Sequence, residues 1–204
     1  MYQFISLENG NFISKYTIGW SLVMSPFYFI ADIWARIGNY PHDGFSWPYQ
    51  CMMAIGSSFY TLLGLVFTRK VLLHFFNDKI TAIVLLLLVF CTNYFLIQFI
   101  SLGSSHTLEF CFIALLIWLT IRFHEQATTK NAIALGICIG IIGLIRPPDL
   151  ILILLPFSWS IRKWGGLKGK IQYFLQSERK KTVLVFISMI AILSIQSIFW
   201  KITT

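Results

Sequence analysis

Six stretches of the chain consist almost entirely of apolar residues, and polar or charged segments separate them. Their limits are residues 49–68, 80–100, 107–121, 131–145, 150–161 and 182–200. The stretch 80–100 is the clearest, because its 21 residues would form a helix about 31 Å long, which matches the hydrocarbon thickness of a membrane. The pattern therefore predicts an all-α fold, a polytopic transmembrane helix bundle of about six spans.

A seventh apolar stretch, residues 17–37, precedes these six and differs from them in its polar content. It carries Pro26 in its middle, and near its end Asp32 and Arg36 are spaced to form an ion pair on one helix face. From the residues alone, this stretch could cross the membrane or lie at the membrane interface as a kinked helix.

The stretch 143–149, with the sequence GLIRPPD, separates the apolar residues 131–145 from 150–161. An ionised side chain at the membrane centre costs at least about 2.5–3.5 kcal/mol, so we expect Arg146 and Asp149 outside the hydrocarbon. The two prolines lack amide hydrogens and push the preceding residue out of helical geometry. We predict a tight turn here, at the membrane surface or in a wet cavity, which joins two short helices and could meet an anionic ligand.

Composition supports the membrane prediction. The chain is 57% hydrophobic and 12% charged, with a mean hydropathy of +0.74, and soluble domains are far more polar. The net charge of +8 is typical of membrane proteins with basic cytoplasmic loops, so we do not expect nucleic-acid binding. The four cysteines predict neither a disulfide framework nor a zinc site, because they lie in apolar stretches without CxxC spacing: Cys51, Cys91, Cys111 and Cys138.

Basic residues are concentrated on alternate connections. Three connections, residues 69–79, 122–130 and 162–181, together hold 12 Lys and Arg residues but only 3 Asp and Glu residues. The rest of the chain holds 4 Lys and Arg residues and 5 Asp and Glu residues. Because basic loops stay on the cytoplasmic side, this distribution predicts the orientation of the bundle. The opposite, extracytoplasmic face then collects seven ionisable residues: Lys15, Arg36, Asp43, His106, Glu109, Arg146 and Asp149.

Several segments resemble the bacterial GT-C fold membrane glycosyltransferases, relatives of the protein O-mannosyltransferases and aminoarabinose transferases. In chain order they are residues 15–27 (KYTIGWSLVMSPF), 44–50 (GFSWPYQ), 92–93 (TN) with 104–110 (SSHTLEF), 143–147 (GLIRP) and 196–201 (QSIFWK). The resemblance runs along nearly the whole chain. It implies transfer of a sugar from a polyprenyl-phosphate donor to an extracytoplasmic acceptor, by a multi-pass enzyme of the bacterial inner membrane.

The resemblance also implies a first transmembrane helix and, after it, an acidic extracytoplasmic loop that acts on the acceptor. Neither is found in this sequence, so we expect a fragment truncated at both ends, without the family's catalytic acidic residue. On this basis residues 17–37 are expected to form an interfacial or re-entrant helix. We treat residues 1–204 as one membrane domain, with an extracytoplasmic or interfacial segment over 1–48 and the bundle over 49–204.

Sugar transfer from a lipid phosphate requires cations at the leaving phosphate and a base near the attacking hydroxyl. Lys15 and Arg146 are our candidates for the donor phosphate. The candidates for the acceptor site are His106, Glu109, Asp149 and Asp43. No cofactor is indicated, and although His106 and Glu109 could share a divalent cation, two ligands do not make a metal site.

Each candidate also has a structural interpretation. Arg146 could reach lipid head groups or pair with Asp149, and Lys15 could flank an interfacial helix. His106 and Glu109 could cap the start of a helix, and Asp43 could be a turn residue. At the level of the whole chain, the alternatives to a glycosyltransferase are a transporter or assembly subunit without enzymatic activity, and an inactive remnant.

Overall fold

The structure is a computed structural model that describes residues 4–6, 12–14, 16–97, 103–159, 169 and 172–203. It is helical apart from a hairpin of two short antiparallel strands, β1 (Phe4–Ser6) and β2 (Phe12–Ser14). The α-helices are α1 (Gly19–Ile37), α2 (Trp47–Phe75), α3 (Asp78–Phe90), α4 (Ser105–Glu125), α5 (Thr129–Ile145), α6 (Leu154–Ser158) and α7 (Arg179–Thr203). A 3-10 helix (Pro147–Ile153) precedes α6, and a π-helical turn (Tyr173–Ser177) precedes α7.

The helical fold class predicted from the apolar pattern is confirmed. Within the described residues, three helices are long and apolar enough to cross a membrane: α2 with 29 residues, α4 with 21 and α7 with 25. A membrane-spanning helix needs about 20 residues, so each of these suffices. α5 is apolar but has 17 residues, and the segment Pro147–Ser158 is shorter still.

The prediction of one continuous helix over residues 80–100 is wrong. α3 ends at Phe90, and residues 91–93 form a turn before helical structure resumes at Tyr94. The Thr92 hydroxyl donates to the Leu88 carbonyl at 2.6 Å and accepts from the Tyr94 amide at 3.1 Å. A threonine that bonds to the backbone in this way competes with regular helix, which accounts for the turn. Residues 98–100 lie outside the described part of the chain.

The predicted helix break at Arg146 is confirmed. α5 ends at Ile145, and Arg146 has an extended backbone with φ −144° and ψ 107°. The segment that follows is a 3-10 helix leading into α6, so the second of the two predicted short helices is only partly α-helical. The cause is local, because the two prolines have no amide hydrogen to donate to the carbonyl groups four residues before them.

α1 continues through Pro26. Proline cannot donate to the Leu22 carbonyl, and the Ser25 hydroxyl donates there instead at 2.8 Å. The predicted pair near the end of the helix is confirmed, with Arg36 Nε 2.9 Å from Asp32 Oδ2. α1, with 19 residues, is not among the described helices of spanning length and hydropathy. Its exposed apolar side chains include Phe29, Ile30, Ile33, Trp34 and Ile37.

The chain divides into two compact units, residues 20–115 and residues 1–19 with 116–204. In the unit 20–115, Ala31, Ala35 and Tyr49 form a buried cluster where α1 packs on the start of α2. Two turns further along, Gly56 contacts Met24 so closely that an added Cβ would lie 2.7 Å from its methyl carbon. Small residues therefore set the distance between α1 and α2.

In the other unit, α5 packs along α7. An added Cβ at Gly136 would lie 2.2 Å from the Val185 carbonyl oxygen, and one at Gly140 would lie 3.0 Å from that of Met189. The two helices are therefore in backbone-to-backbone contact, the type of packing that small residues allow in membrane proteins. These glycines were not singled out from the sequence.

Candidate functional site

A pocket of about 470 Å³ opens in the unit 20–115, beside the start of α4. It is lined by residues from four places in the chain, namely the end of α3, the turn at 91–93, the helical residues 94–97 and the first turns of α4. The lining residues are Leu88, Thr92, Asn93, Tyr94, Ile97, His106, Glu109, Phe110 and Ile113. The pocket therefore has apolar walls and a small group of polar side chains, as ligand-binding clefts usually do.

His106 and Glu109, which were predicted to lie on one helix face, are in contact. α4 begins at Ser105, and the Ser104 hydroxyl accepts a hydrogen bond from the His106 amide at 3.3 Å. His106 Nδ1 lies 3.0 Å from Glu109 Oε2. The Glu109 side chain is only 10% exposed, whereas that of His106 is 55% exposed. The helix start thus places a largely buried carboxylate behind an accessible imidazole.

The charge of Glu109 decides the hydrogen-bonding role of each imidazole nitrogen. When the carboxylate is ionised it can only accept, and Nδ1 then carries the hydrogen that the two groups share. In the neutral ring Nε2 then has the lone pair and is the nitrogen that can take a proton from a ligand. A carboxylate that orients a histidine in this way is a recurring arrangement for general-base catalysis. The pair can also stabilise the helix start, and the two roles are compatible.

Tyr94 connects the wall of the pocket to both α2 and α4. Its hydroxyl donates to the Thr61 carbonyl of α2 at 3.1 Å, and its ring packs edge-on against Phe110 with centroids 4.8 Å apart. Sequence reasoning missed Tyr94 because it assigned residues 80–100 to one helix. The adjacent Thr92-Asn93 pair was the available signal, since both residues favour turns.

The pocket contains no cation of its own. Among the described residues that line it, none is a lysine or an arginine. Its polar groups are a carboxylate, an imidazole, an amide and two hydroxyls, which suit a neutral ligand that carries hydroxyl groups. An anionic group would meet the Glu109 carboxylate without a compensating charge.

Arg146 and Asp149 belong to the other compact unit and lie in the proline turn. Arg146 is half-buried, and its carbonyl accepts a hydrogen bond from the Asp149 amide at 3.0 Å. The residues before α1 reach the same turn, because the Thr17 hydroxyl donates to the Ile145 carbonyl at 3.0 Å. This bond satisfies a carbonyl at the end of α5 that would otherwise lack a helical donor.

Gln196 of α7 is a second polar residue that contacts the residues before α1. Its Oε1 atom accepts from the Ile18 amide at 2.9 Å. The Ile18 amide is a donor, so the side-chain atom of Gln196 that faces it must be the oxygen. The other terminal atom is then Nε2, a donor that is buried and has no partner among the described residues. Sequence reasoning did not assign Gln196 a role, although a glutamine within an apolar stretch was a signal for one.

Asp43 is a turn residue in the structure. Its Oδ1 atom accepts from the amides of Phe45 and Ser46 at 2.8 and 2.7 Å, just before α2 begins. These two bonds, first that of Phe45, hold the pKa of the Asp43 carboxyl below its ordinary value. Asp43 does not line the pocket beside His106.

Lys15 lies outside the described residues, so the structure does not place it. The described residues hold no cluster of three or more His, Cys, Asp or Glu side chains that could bind a metal. Of the predicted site residues, the structure therefore brings together His106 with Glu109, and Arg146 with Asp149, as two separate pairs in two different units.

In comparisons with known proteins, no protein family, no curated protein and no solved structure matches this chain.

Proposed function

We propose that this chain is a multi-pass protein of the bacterial inner membrane with about six spans. It acts as a glycosyltransferase module that passes a sugar from a polyprenyl-phosphate donor to an extracytoplasmic acceptor. The resemblance of the five motifs to GT-C glycosyltransferases motivates the proposal. The observation that carries it is the His106–Glu109 pair, with its 3.0 Å contact, at the wall of an open pocket that has both apolar and hydroxyl-binding groups.

In the proposed reaction the acceptor hydroxyl binds beside His106. Its oxygen attacks the anomeric carbon of the sugar while the bond from that carbon to the phosphate oxygen breaks. The hydroxyl proton goes to His106 Nε2, and the bonding electron pair leaves with the polyprenyl phosphate. Glu109 holds the ring in position and stabilises the imidazolium that forms, and such a base contributes about 10²–10⁴-fold to the rate.

Arg146 is the proposed contact of the donor phosphate. Its guanidinium offers a fork of donors that matches phosphate oxygens. The buried Nε2 donor of Gln196 is consistent with this proposal, because a buried amide donor generally requires an acceptor and a phosphate oxygen is one. Lys15 is proposed as a second cation for the same phosphate on the strength of the sequence alone.

The test is a transfer assay with the purified protein in liposomes, supplied with polyprenyl-phosphate-linked radiolabelled sugars and membrane-derived acceptors. We expect Glu109→Gln and His106→Ala each to slow transfer by about 10²-fold or more, because either change removes the oriented base. Glu125→Gln, at the far end of the same helix, is the matched control and should transfer at the unaltered rate. Arg146→Ala should abolish transfer while the protein still reaches the membrane.

If Glu109→Gln transferred sugar at the unaltered rate, the His106–Glu109 pair would only cap the helix start and would have no part in the mechanism. If the unaltered protein transfers no sugar from any donor, the glycosyltransferase proposal fails, and the two alternatives take its place: a transporter or assembly subunit without enzymatic activity, or an inactive remnant.

A further inference from the structure

A second pocket lies in the same unit, between α2 and α3. The two helices are joined by a tight turn at Phe76 and Asn77, in which the Asn77 side chain accepts from the Ile80 amide at 3.0 Å. Beside the turn, Arg69 Nη2 of α2 lies 2.8 Å from Asp78 Oδ1 of α3. The helices are therefore tied to each other at this end.

Beyond the ion pair the helices leave an open groove. Of the residues of α3, only Thr81 is buried. The groove has a volume of about 410 Å³, and apart from Arg69 and Asp78 its lining is apolar. The apolar lining residues are Leu65, Ala82, Leu85, Leu86, Val89 and Phe90.

The charged end of the groove is basic. Arg69 and Lys70 lie in the last turns of α2 and Lys79 in the first turn of α3, and Asp78 is the one carboxylate among residues 69–79. The side chains of Arg69 and Asp78 are 54% and 75% exposed, so their ion pair contributes little to stability. Arg69 can therefore share its remaining N–H donors with an external anion at small cost.

The dimensions of the groove distinguish between possible occupants. From Asp78 to Phe90 α3 rises by about 18 Å, close to the roughly 15 Å depth of one leaflet of the hydrocarbon. A partner helix of that length, about 10 Å across, would occupy about 1400 Å³, which is far more than the 410 Å³ of the groove. The groove fits a single hydrocarbon chain.

We propose that the α2–α3 groove binds an anionic phospholipid of the cytoplasmic leaflet. One acyl chain lies along Leu65, Leu86 and Phe90, and the phosphodiester lies against Arg69. Lys70 and Lys79 add positive charge at the same depth, where each basic residue favours an anionic lipid over a zwitterionic one by about five-fold. This site is separate from the His106–Glu109 pocket and does not depend on the proposed sugar transfer.

Native mass spectrometry of the full chain tests the proposal. The protein in detergent is titrated with phosphatidylglycerol and, separately, with phosphatidylcholine that carries the same acyl chains. We expect the unaltered protein to bind phosphatidylglycerol at least about five-fold more tightly, and Arg69→Gln to reduce this preference by about five-fold. Equal binding of the two lipids by the unaltered protein would overturn the proposal.

The variant Asp78→Asn distinguishes head-group binding by Arg69 from a purely structural role of the ion pair. It breaks the same pair as Arg69→Gln but removes a negative charge, so it should keep or increase the preference for phosphatidylglycerol. If both variants lose the preference equally, the ion pair is structural and the assignment of the phosphate to Arg69 is wrong.

Two tryptophan variants test whether the acyl chain occupies the groove. Leu86→Trp fills the groove and should weaken binding of both lipids several-fold. Ile83→Trp is the matched control, because Ile83 is as exposed as Leu86, at 57% against 59%, but does not line the groove. Circular dichroism and size-exclusion chromatography verify the fold of each variant. The same affinity in the two tryptophan variants would exclude the groove as the site.

Discussion

At the scale of single residues, Asp32 shows how a carboxylate near the end of an apolar helix is stabilised by its neighbours. It accepts from the Tyr49 hydroxyl at 2.8 Å and from Arg36 Nε at 2.9 Å, and His42 Nδ1 lies at 3.5 Å. These contacts, with the Tyr49 hydrogen bond the largest, lower the pKa of the Asp32 carboxyl. The sequence predicted the pair with Arg36 from its spacing but could not predict Tyr49, which is 17 residues away.

We predict that Tyr49→Phe raises the pKa of Asp32 toward 3.8, its ordinary value. A carboxyl with a lowered pKa in the folded state contributes stability above its unfolded pKa, and that contribution is lost as the pH falls through the folded value. The variant should therefore lose stability near neutral pH and less at strongly acidic pH. Carbon-13 NMR titration of the Asp32 carboxyl measures the pKa directly.

The control for this titration is Tyr28→Phe. The Tyr28 ring packs against that of Tyr49 with centroids 5.1 Å apart, but its hydroxyl is not a hydrogen-bond partner of Asp32. An Asp32 pKa that rises equally in both variants would show that the loss of any nearby phenol hydroxyl, and not of the Tyr49 hydrogen bond in particular, changes its value.

At the scale of helices, the contact between α5 and α7 is the clearest case of packing set by small residues. The α5 stretch 136–143 has glycine at 136, 140 and 143, and a Cβ added at any of them would lie within 3.0 Å of an atom of α7. At Gly136 an added Cβ would meet the Ser188 hydroxyl at 2.0 Å as well as the backbone of Val185. A side chain there must push the two helices apart.

We predict that Gly136→Val lowers the free energy of unfolding by about 1–3 kcal/mol, the usual cost of overpacking. Unfolding in mixed micelles of increasing dodecyl sulfate content measures this change. Gly169→Ala is the matched control, because no atom lies within 4 Å of a Cβ added at that glycine. The packing argument would be refuted if Gly136→Val were as stable as the control.

The proline turn after α5 illustrates how a local signal and a distant contact combine. Pro147 and Pro148 end the helix for reasons visible in the sequence. The carbonyl groups thereby left without helical donors need partners from elsewhere, and one of them is found in Thr17, 128 residues away. The break could be predicted from sequence, but the residue that completes the end of α5 could not.

At the scale of the whole molecule, the predicted membrane orientation underlies the proposed function. It places Ser105 and Pro148 on the extracytoplasmic side and the basic residues 69–79 in the cytoplasm. The proposed acceptor pocket and the proposed phosphate contact require this arrangement, since both substrates are expected outside the cytoplasm.

We predict that single cysteines introduced by Ser105→Cys and Pro148→Cys react with a membrane-impermeant maleimide in intact spheroplasts. The background replaces the four native cysteines, Cys51, Cys91, Cys111 and Cys138, so that only the new thiol reacts. Lys79→Cys, on the opposite side, should react only after the membrane is permeabilised. Labelling of position 105 or 148 that requires permeabilisation would contradict the orientation.

Much of the local structure was predictable because it depends on neighbouring residues. The apolar stretches predicted helices, the spacing of Asp32 and Arg36 predicted their ion pair, and the spacing of His106 and Glu109 predicted a shared helix face. The turn at residues 91–93 was missed although its signal is local. The apolar pattern around Thr92 predicts a helix strongly, whereas a single threonine that can bond to the backbone predicts a turn only weakly.

The sequence by itself determined the helical fold class and the places where charged residues interrupt the apolar stretches. These follow from the period of the helix and from the cost of placing charge in hydrocarbon, and both act between residues close together in the chain. Only the tertiary structure decided that Tyr94 and Phe110 enclose a pocket around His106 and Glu109, and that α2 and α3 separate to leave a groove. Such features depend on the distance between helices, which small residues and distant hydrogen bonds set, and no pattern along the chain records that distance.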